Sequence, residues 1–182
     1  FLSVKKGKSV DRMGQAIPWL TYPLINFLEP RLKKDFVMFE YGCGNSTIWF
    51  AKHVMEIYSV EHDKEWYKEI NKVRPSNAYI RLKEINSTEA YSAITFMSKE
   101  DEIPYSLEVT AGNRLYDIIL IDGVYRNNSV VNSVKTLKEA GVIIVDNIDY
   151  IESKDAVDYL ISLGFRVIEF WGMCPITYHD SC

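Results

Sequence analysis

The chain has 182 residues, a length that points to one domain, and its mix of 47% hydrophobic, 25% charged and 13% aromatic residues excludes a disordered, collagen-like or low-complexity chain. Three cysteines without CxxC spacing argue against a disulfide scaffold or a zinc ribbon, and no apolar run approaches the roughly 18 residues of a membrane span. A net charge of −4 speaks against a nucleic-acid binder, although residues 1–34 carry seven basic and two acidic side chains, a net of +5 that leaves the remainder at −9.

The opening, to about Met13, is polar and reads as irregular. Over residues 16–32 the apolar side chains Ile17, Leu20, Leu24, Ile25, Phe27, Leu28 and Leu32 recur mostly at helical spacing, while Pro18, Pro23 and Pro30 interrupt it. Short or kinked helices are expected there rather than one rod. A repeating unit follows, in which a short apolar run leads through a turn to a polar helical stretch. Strands are expected at 36–41, 56–61, 78–85, 116–122, 142–146 and 165–170. The helices expected between them span 46–54, 63–73, 127–139 and 153–163. Asp63 caps the second of these, Arg74-Pro75 ends it, and Gly141 and Gly164 stop the last two. The stretch 86–114 reads as one helix plus an irregular excursion around Pro104.

Strands alternating with helices imply crossover connections. The expected fold is therefore α/β, a Rossmann-like doubly wound, mainly parallel sheet with helices on both faces. One domain is expected over 1–182, with a helical or lid-like segment at 1–34 and the core at 35–182. In such sheets ligands bind beyond the carboxyl ends of the strands, where the strand order reverses. Function should then sit just after the first, second, fourth and fifth strands.

Glu40-Tyr-Gly42-Cys-Gly44-Asn45-Ser46-Thr47 closes the first strand and opens a helix, with Ser46 placed as its N-cap. Glycines there permit a tight turn and close backbone approach to a ligand. Glu61 ends the second strand 17 residues after Gly44, where an acid would accept hydrogen bonds from ribose hydroxyls. Thr47 stands at the third position of a dinucleotide fingerprint, and Glu40 would repel a pyrophosphate. That pairing disfavours NAD and favours S-adenosylmethionine, which carries an amine and a sulfonium.

Glu40-x-Gly42-x-Gly44 followed by Glu61 resembles motif I and the following acidic residue of class I S-adenosylmethionine-dependent methyltransferases. The likeness covers nearly the whole chain, through the strand–helix order from Phe36 to Phe170. It implies a seven-stranded sheet with an antiparallel last strand, for which Met173 to Cys182 is the remaining chain. It also implies a cofactor site in which Gly42 and Gly44 line the methionine moiety, with Glu40, Asn45 and Ser46 in the same loop. Glu61 would hold the ribose, His62 would adjoin the cofactor, and Asn86 or Ser87 would lie near the adenine.

Asp122-Gly123 follows the fourth strand and Asp146-Asn147 the fifth. Two carboxylates and an amide oxygen offer an all-oxygen site for Mg²⁺. The trio Asp122, Asp146 and Asn147 resembles the metal ligands of catechol-type and caffeoyl-CoA-type O-methyltransferases. Those enzymes carry a lysine three residues after the first aspartate. Here Tyr125 stands in that place and Arg126 follows, a poor general base but a good clamp for an anionic group. The departure favours a metal-free version in which Asp122 acts on the acceptor and Arg126 holds an anionic part of it.

His53, His62 and His179 are scattered and offer no His-based metal site, and Cys43 reads as a small space-filling residue. The function expected is O-methylation of a small-molecule or sugar-like acceptor by a cytoplasmic enzyme, with no nucleic-acid or membrane partner; the alternatives are a non-catalytic S-adenosylmethionine-binding or scaffold protein of the same fold and, less favoured, a nicotinamide-dependent oxidoreductase. The proline-broken segment at 17–30 suits a homodimer contact as well as it suits a lid.

Overall fold

The computed structural model describes residues 2–85, 104–150, 153–176 and 180–182. Five strands form the main sheet: β1 (Val37–Tyr41), β2 (Glu56–Glu61), β3 (Ala78–Leu82), β4 (Tyr116–Ile121) and β5 (Leu137–Val145). Their order is β3-β2-β1-β4-β5 and every pairing is parallel. The chain winds outward from β1 to β3, returns beside β1 as β4, and winds outward again. The reversal point therefore lies between β1 and β4.

Alternate residues of each strand enter opposite layers, as the two-residue period of a strand requires. Met38, Ile57, Ile118, Leu120 and Ile144 face one layer, against Leu24 and Leu28 of helix α2 (Tyr22–Leu28) and Trp49 and Phe50 of helix α3 (Asn45–Ala51). Helix α1 (Leu2–Lys6) precedes these two. Phe39, Tyr41, Val60, Ile119, Ile121 and Val145 face the other layer, against Tyr105 and Val109 and against helices α5 (Arg126–Val134) and α6 (Lys154–Ser162). Burial on both faces is why Ile118–Ile121 of β4 read as an unbroken apolar run. Helix α4 (Lys64–Val73) begins as its sequence dictates: Asp63 accepts from Trp66 N at 2.8 Å, and Arg74, already extended, ends it ahead of Pro75.

Four expectations are corrected. The irregular opening contains α1, fastened by the buried Ser3 hydroxyl to Val10 O at 2.7 Å. The helix expected to reach residue 139 ends at Val134, and β5 starts at Leu137. Tyr116 pairs with Leu137 and Ile118 with Val142, so the intervening residues bulge out of register, and Gly141 lies in that irregularity rather than stopping a helix. Residues 165–170 form no strand. Val167 and Ile168 are exposed, so the run lacks the second buried face that a parallel sheet would need. Beyond it, β6 (Trp171–Gly172) and β7 (Asp180–Ser181) make a separate antiparallel ribbon, and the sheet has five strands among the described residues instead of six or seven. Over 104–114 the chain holds a 3-10 turn, Ser106–Thr110, and the rest of the long polar stretch, with Asn86 and Ser87, lies outside the described residues.

Candidate cofactor crevice

Gly42 leaves β1 with φ +83, and its N–H donates to Val60 O at 2.8 Å. A Cβ on Gly42 would fall 2.9 Å from Asp122 O, so the turns after β1 and β4 touch backbone to backbone. Gly44, not Ser46, is the N-cap of α3, and Thr47 Oγ1 accepts from Gly44 N at 2.9 Å. The Ser46 hydroxyl turns inward and donates to Glu40. Thr47 Oγ1 and Ser59 Oγ donate to the same carboxyl at 2.5 and 2.9 Å. Glu40 is only 1% exposed, so it braces the turn from beneath instead of facing a ligand. Burial pushes its acid constant up to about 7 against the pull of the three hydroxyls, and the charge of Asp122 adds to the rise.

Glu61, at the end of β2, is 3% exposed and reaches the same turn: Oε2 accepts from Cys43 N at 3.0 Å. Oε1 accepts from His62 N and Asp63 N, each at 2.8 Å, and His62 Nδ1 lies 3.0 Å away. Burial acts to raise this carboxyl, but His62 and the N–H groups of Asp63 and Cys43 prevail and hold it below the usual range. Trp66 of α4 donates from Nε1 to Cys43 O at 2.6 Å and lies against Gly44. Burial and the neighbouring Glu61 and Glu40 charges raise the Cys43 thiol, so it stays protonated and fills space. Asn45 Nδ2 donates to Ser9 O, tying the chain before α2 to the turn.

Tyr105, buried to 1%, completes the base of the crevice. Its hydroxyl donates to Val60 O at 3.5 Å. A Cβ on Gly123 would fall 2.0 Å from that hydroxyl and 3.0 Å from Gly42 N. Sequence reasoning missed Tyr105, Thr47, Ser59 and Trp66 as site residues. Only Thr47, inside the glycine loop, stood in a place that drew attention.

The turns after β4 and β5 meet through Arg126. Its Nε donates to Gly123 O at 2.9 Å and Nη2 to Asp122 Oδ1 at 3.3 Å. Nη1 donates to Asp146 O and, at 2.8 Å, to Asn147 Oδ1, with Asp146 Oδ2 at 3.8 Å. Tyr125 and Asn147, one in each turn, adopt left-handed backbone at φ +51 and +56. A bulky residue in that region is strained, and it persists where the surroundings fix it. The Asp122 side chain is 28% exposed and that of Asp146 4%, and Cys182 Sγ donates to Asp146 Oδ1 at 3.0 Å.

The structure thus brings Asp122, Asp146 and Asn147 together, but around a guanidinium. A divalent cation needs converging oxygens at about 2.0–2.6 Å, and Arg126 already stands among these three. The residues do not fit Mg²⁺. Among the described residues no group of three or more His, Cys, Asp or Glu side chains is arranged to hold a metal ion. His53 packs on Trp49, and His179 lies outside the described residues. Arg126 itself is committed within the chain, which is a different position from the expected clamp reaching out to an acceptor.

No protein-family model matches the chain, and no curated protein sequence matches it. Solved structures do share its fold. A precorrin-8W decarboxylase from Methanobacterium thermoautotrophicum is 22% identical with a TM-score of 0.58, covering 82% of this chain and 73% of its own. A precorrin-6y C5,15-methyltransferase from Geobacter metallireducens is 14% identical with a TM-score of 0.56, over 98% of this chain and 92% of its own. An rRNA methylase from Streptococcus thermophilus is 13% identical with a TM-score of 0.54, over 86% and 89%. The chain has the α/β, Rossmann-like fold of these proteins, and no described helix is long and apolar enough to cross a membrane.

Proposed function

We propose that this chain is an S-adenosylmethionine-dependent methyltransferase that methylates a hydroxyl of a small-molecule or sugar-like acceptor. The observation that carries the reading is the ionised Glu61 carboxylate at the end of β2, hydrogen-bonded to the glycine turn of β1 at the point where the sheet reverses. Glu61 Oε1 takes the N–H groups of His62 and Asp63 with His62 Nδ1 3.0 Å away, while Oε2 takes the N–H of Cys43, so the lone pair offered to a ribose hydroxyl is on Oε2. Gly42 lets the β1 turn meet the Asp122 carbonyl and Gly44 lets Trp66 pack on it, which keeps the turn tight beside Glu61. Asn45 and Ser46 open α3 beside it, His62 flanks Glu61, and Glu40 supports the turn from below.

The cofactor supplies a methyl group already activated on sulfonium. The protein has then to align the acceptor and accept its proton. Asp122 suits that role because it directly follows β4, the strand beside the reversal point, touches the β1 turn through its backbone, and is the more exposed of the two aspartates at the crevice. Fold likeness supports methyl transfer without naming the acceptor, since the similar proteins are described as acting on precorrins and on rRNA. The chain's own acidic balance favours the smaller acceptor.

Calorimetry with S-adenosylhomocysteine tests the reading. Saturable binding, strongly weakened in Glu61→Ala, is expected, and no heat at millimolar ligand would end it.

A further inference from the structure

Arg126 is 9% exposed, and a buried cation persists only where its charge and its donors are matched. Here the match is nearly complete. Three nitrogens of one guanidinium serve Gly123 O and Asp122 Oδ1 in the β4 turn, and Asp146 O and Asn147 Oδ1 in the β5 turn. Two carboxylates, Asp122 and Asp146, lie within 3.3 and 3.8 Å of it. The left-handed Tyr125 directly before Arg126 starts α5 at this turn, where the side chain reaches back over Gly123.

We infer that Arg126 is the built-in cation of this site. Its guanidinium fills the space between Asp122, Asp146 and Asn147 that a divalent ion would take, and it orients the Asp122 carboxylate. A planar fork with several fixed donors can join two turns and aim an oxygen, whereas a lysine ammonium is a single point of charge. Arg126 is thereby a positioning residue, acting through Asp122. That last role rests on the methyl-transfer reading, but the replacement of a metal by a side chain does not.

Manganese titration followed by electron paramagnetic resonance separates the two. The wild-type protein should show no saturable Mn²⁺ binding at millimolar metal. Arg126→Ala should acquire it, saturating at least about tenfold below the highest metal concentration used, and Arg126→Ala/Asp146→Asn should lose it again. Millimolar guanidinium should compete with Mn²⁺ in Arg126→Ala and restore part of its turnover, while Arg126→Lys should lower kcat and leave KM for the cofactor unchanged. Saturable Mn²⁺ binding by the wild type, or a folded Arg126→Ala that gains no Mn²⁺, overturns the inference. Should Arg126→Ala not fold, the wild-type melting temperature decides: no change with Mn²⁺ is expected, and a rise of several degrees refutes the built-in cation. Gain of Mn²⁺ without S-adenosylhomocysteine binding would keep the cation and remove the methyltransferase.

Discussion

The two halves of the crevice hold their carboxylates by opposite means. After β1 and β2, Glu40 and Glu61 are surrounded by neutral donors, three hydroxyls on one and three backbone N–H groups on the other, with His62 beside Glu61. After β4 and β5, Asp122 and Asp146 face a full positive charge. Neutral donors at fixed backbone positions make a rigid turn whose charge depends on pH, whereas a guanidinium keeps its charge throughout the range in which proteins fold. The first half should thus respond to proton concentration and the second to loss of its cation.

The contact between the halves is the most severe place to break this arrangement. Gly42→Ala puts a Cβ at φ +83 and 2.9 Å from the Asp122 carbonyl, and a loss of about 3 kcal/mol of stability is expected in urea unfolding, with cofactor-product binding abolished. Gly123→Ala should be comparably harmful, because its Cβ meets the Tyr105 hydroxyl. Adding Tyr105→Phe should recover part of that loss, and strict additivity in the double-mutant cycle would remove Tyr105 from the contact.

Glu61→Ala comes next. Loss of a charged acceptor should weaken S-adenosylhomocysteine by about 2 kcal/mol, some thirtyfold in Kd by calorimetry. Glu40→Gln should act on pH dependence more than on affinity. The folded acid constant, about 7, lies above the ordinary 4.5, so the native state keeps a proton that the unfolded chain has already lost. Stability from this group therefore falls as pH rises from about 4.5 to about 7, by up to about 3 kcal/mol. Melting temperatures at pH 5 and pH 8 should converge in Glu40→Gln, and an unaltered difference would show that Glu40 titrates normally. Glu61 works in the other direction, since its lowered constant gives stability that is lost only as pH falls through the folded value. The smallest effect belongs to Trp66→Phe, which removes one hydrogen bond to Cys43 O and should cost about 1 kcal/mol with binding nearly kept.

Where signals are local, the sequence is a good guide. Glu56–Glu61 and Lys64–Val73 follow from an apolar run, the Asp63 cap and the Arg74-Pro75 stop, all read within a few residues. Placing Glu61 beside Gly42 and Gly44 needed only the parallel order of β1 and β2. The destination of Arg126 was harder to read: Asp122 lies four residues before it, but the groups that fix its role are at Asp146 and Asn147, on the next strand. Helix α5 is expected, over 127–139, but the burial of its polar side chains is not, for a related reason. Arg126, Asn127, Asn128, Ser129, Asn132 and Ser133 are all buried, so no polar face marks the solvent side, and a bond such as Asn132 Nδ2 to Ser106 Oγ at 3.2 Å cannot be foreseen from periodicity. The expected strand over 165–170 shows the converse, since a short apolar run without a second layer to cover it does not make a sheet.

The segment from Ser9 to the first residue of α2 is fastened at two distant points. Ser9 O holds Asn45 at the cofactor-side turn, and Tyr22 N donates to Met173 O near the β6–β7 ribbon at 2.9 Å. A strap pinned at both ends gives way as a unit, not by fraying from one side. If ligand enters past it, the association rate should level off at high ligand concentration at the rate of that opening. Ile17 N, bonded to Ser9 O at 3.2 Å, and Tyr22 N should then exchange their hydrogens at matched rates and slow together when the crevice is filled.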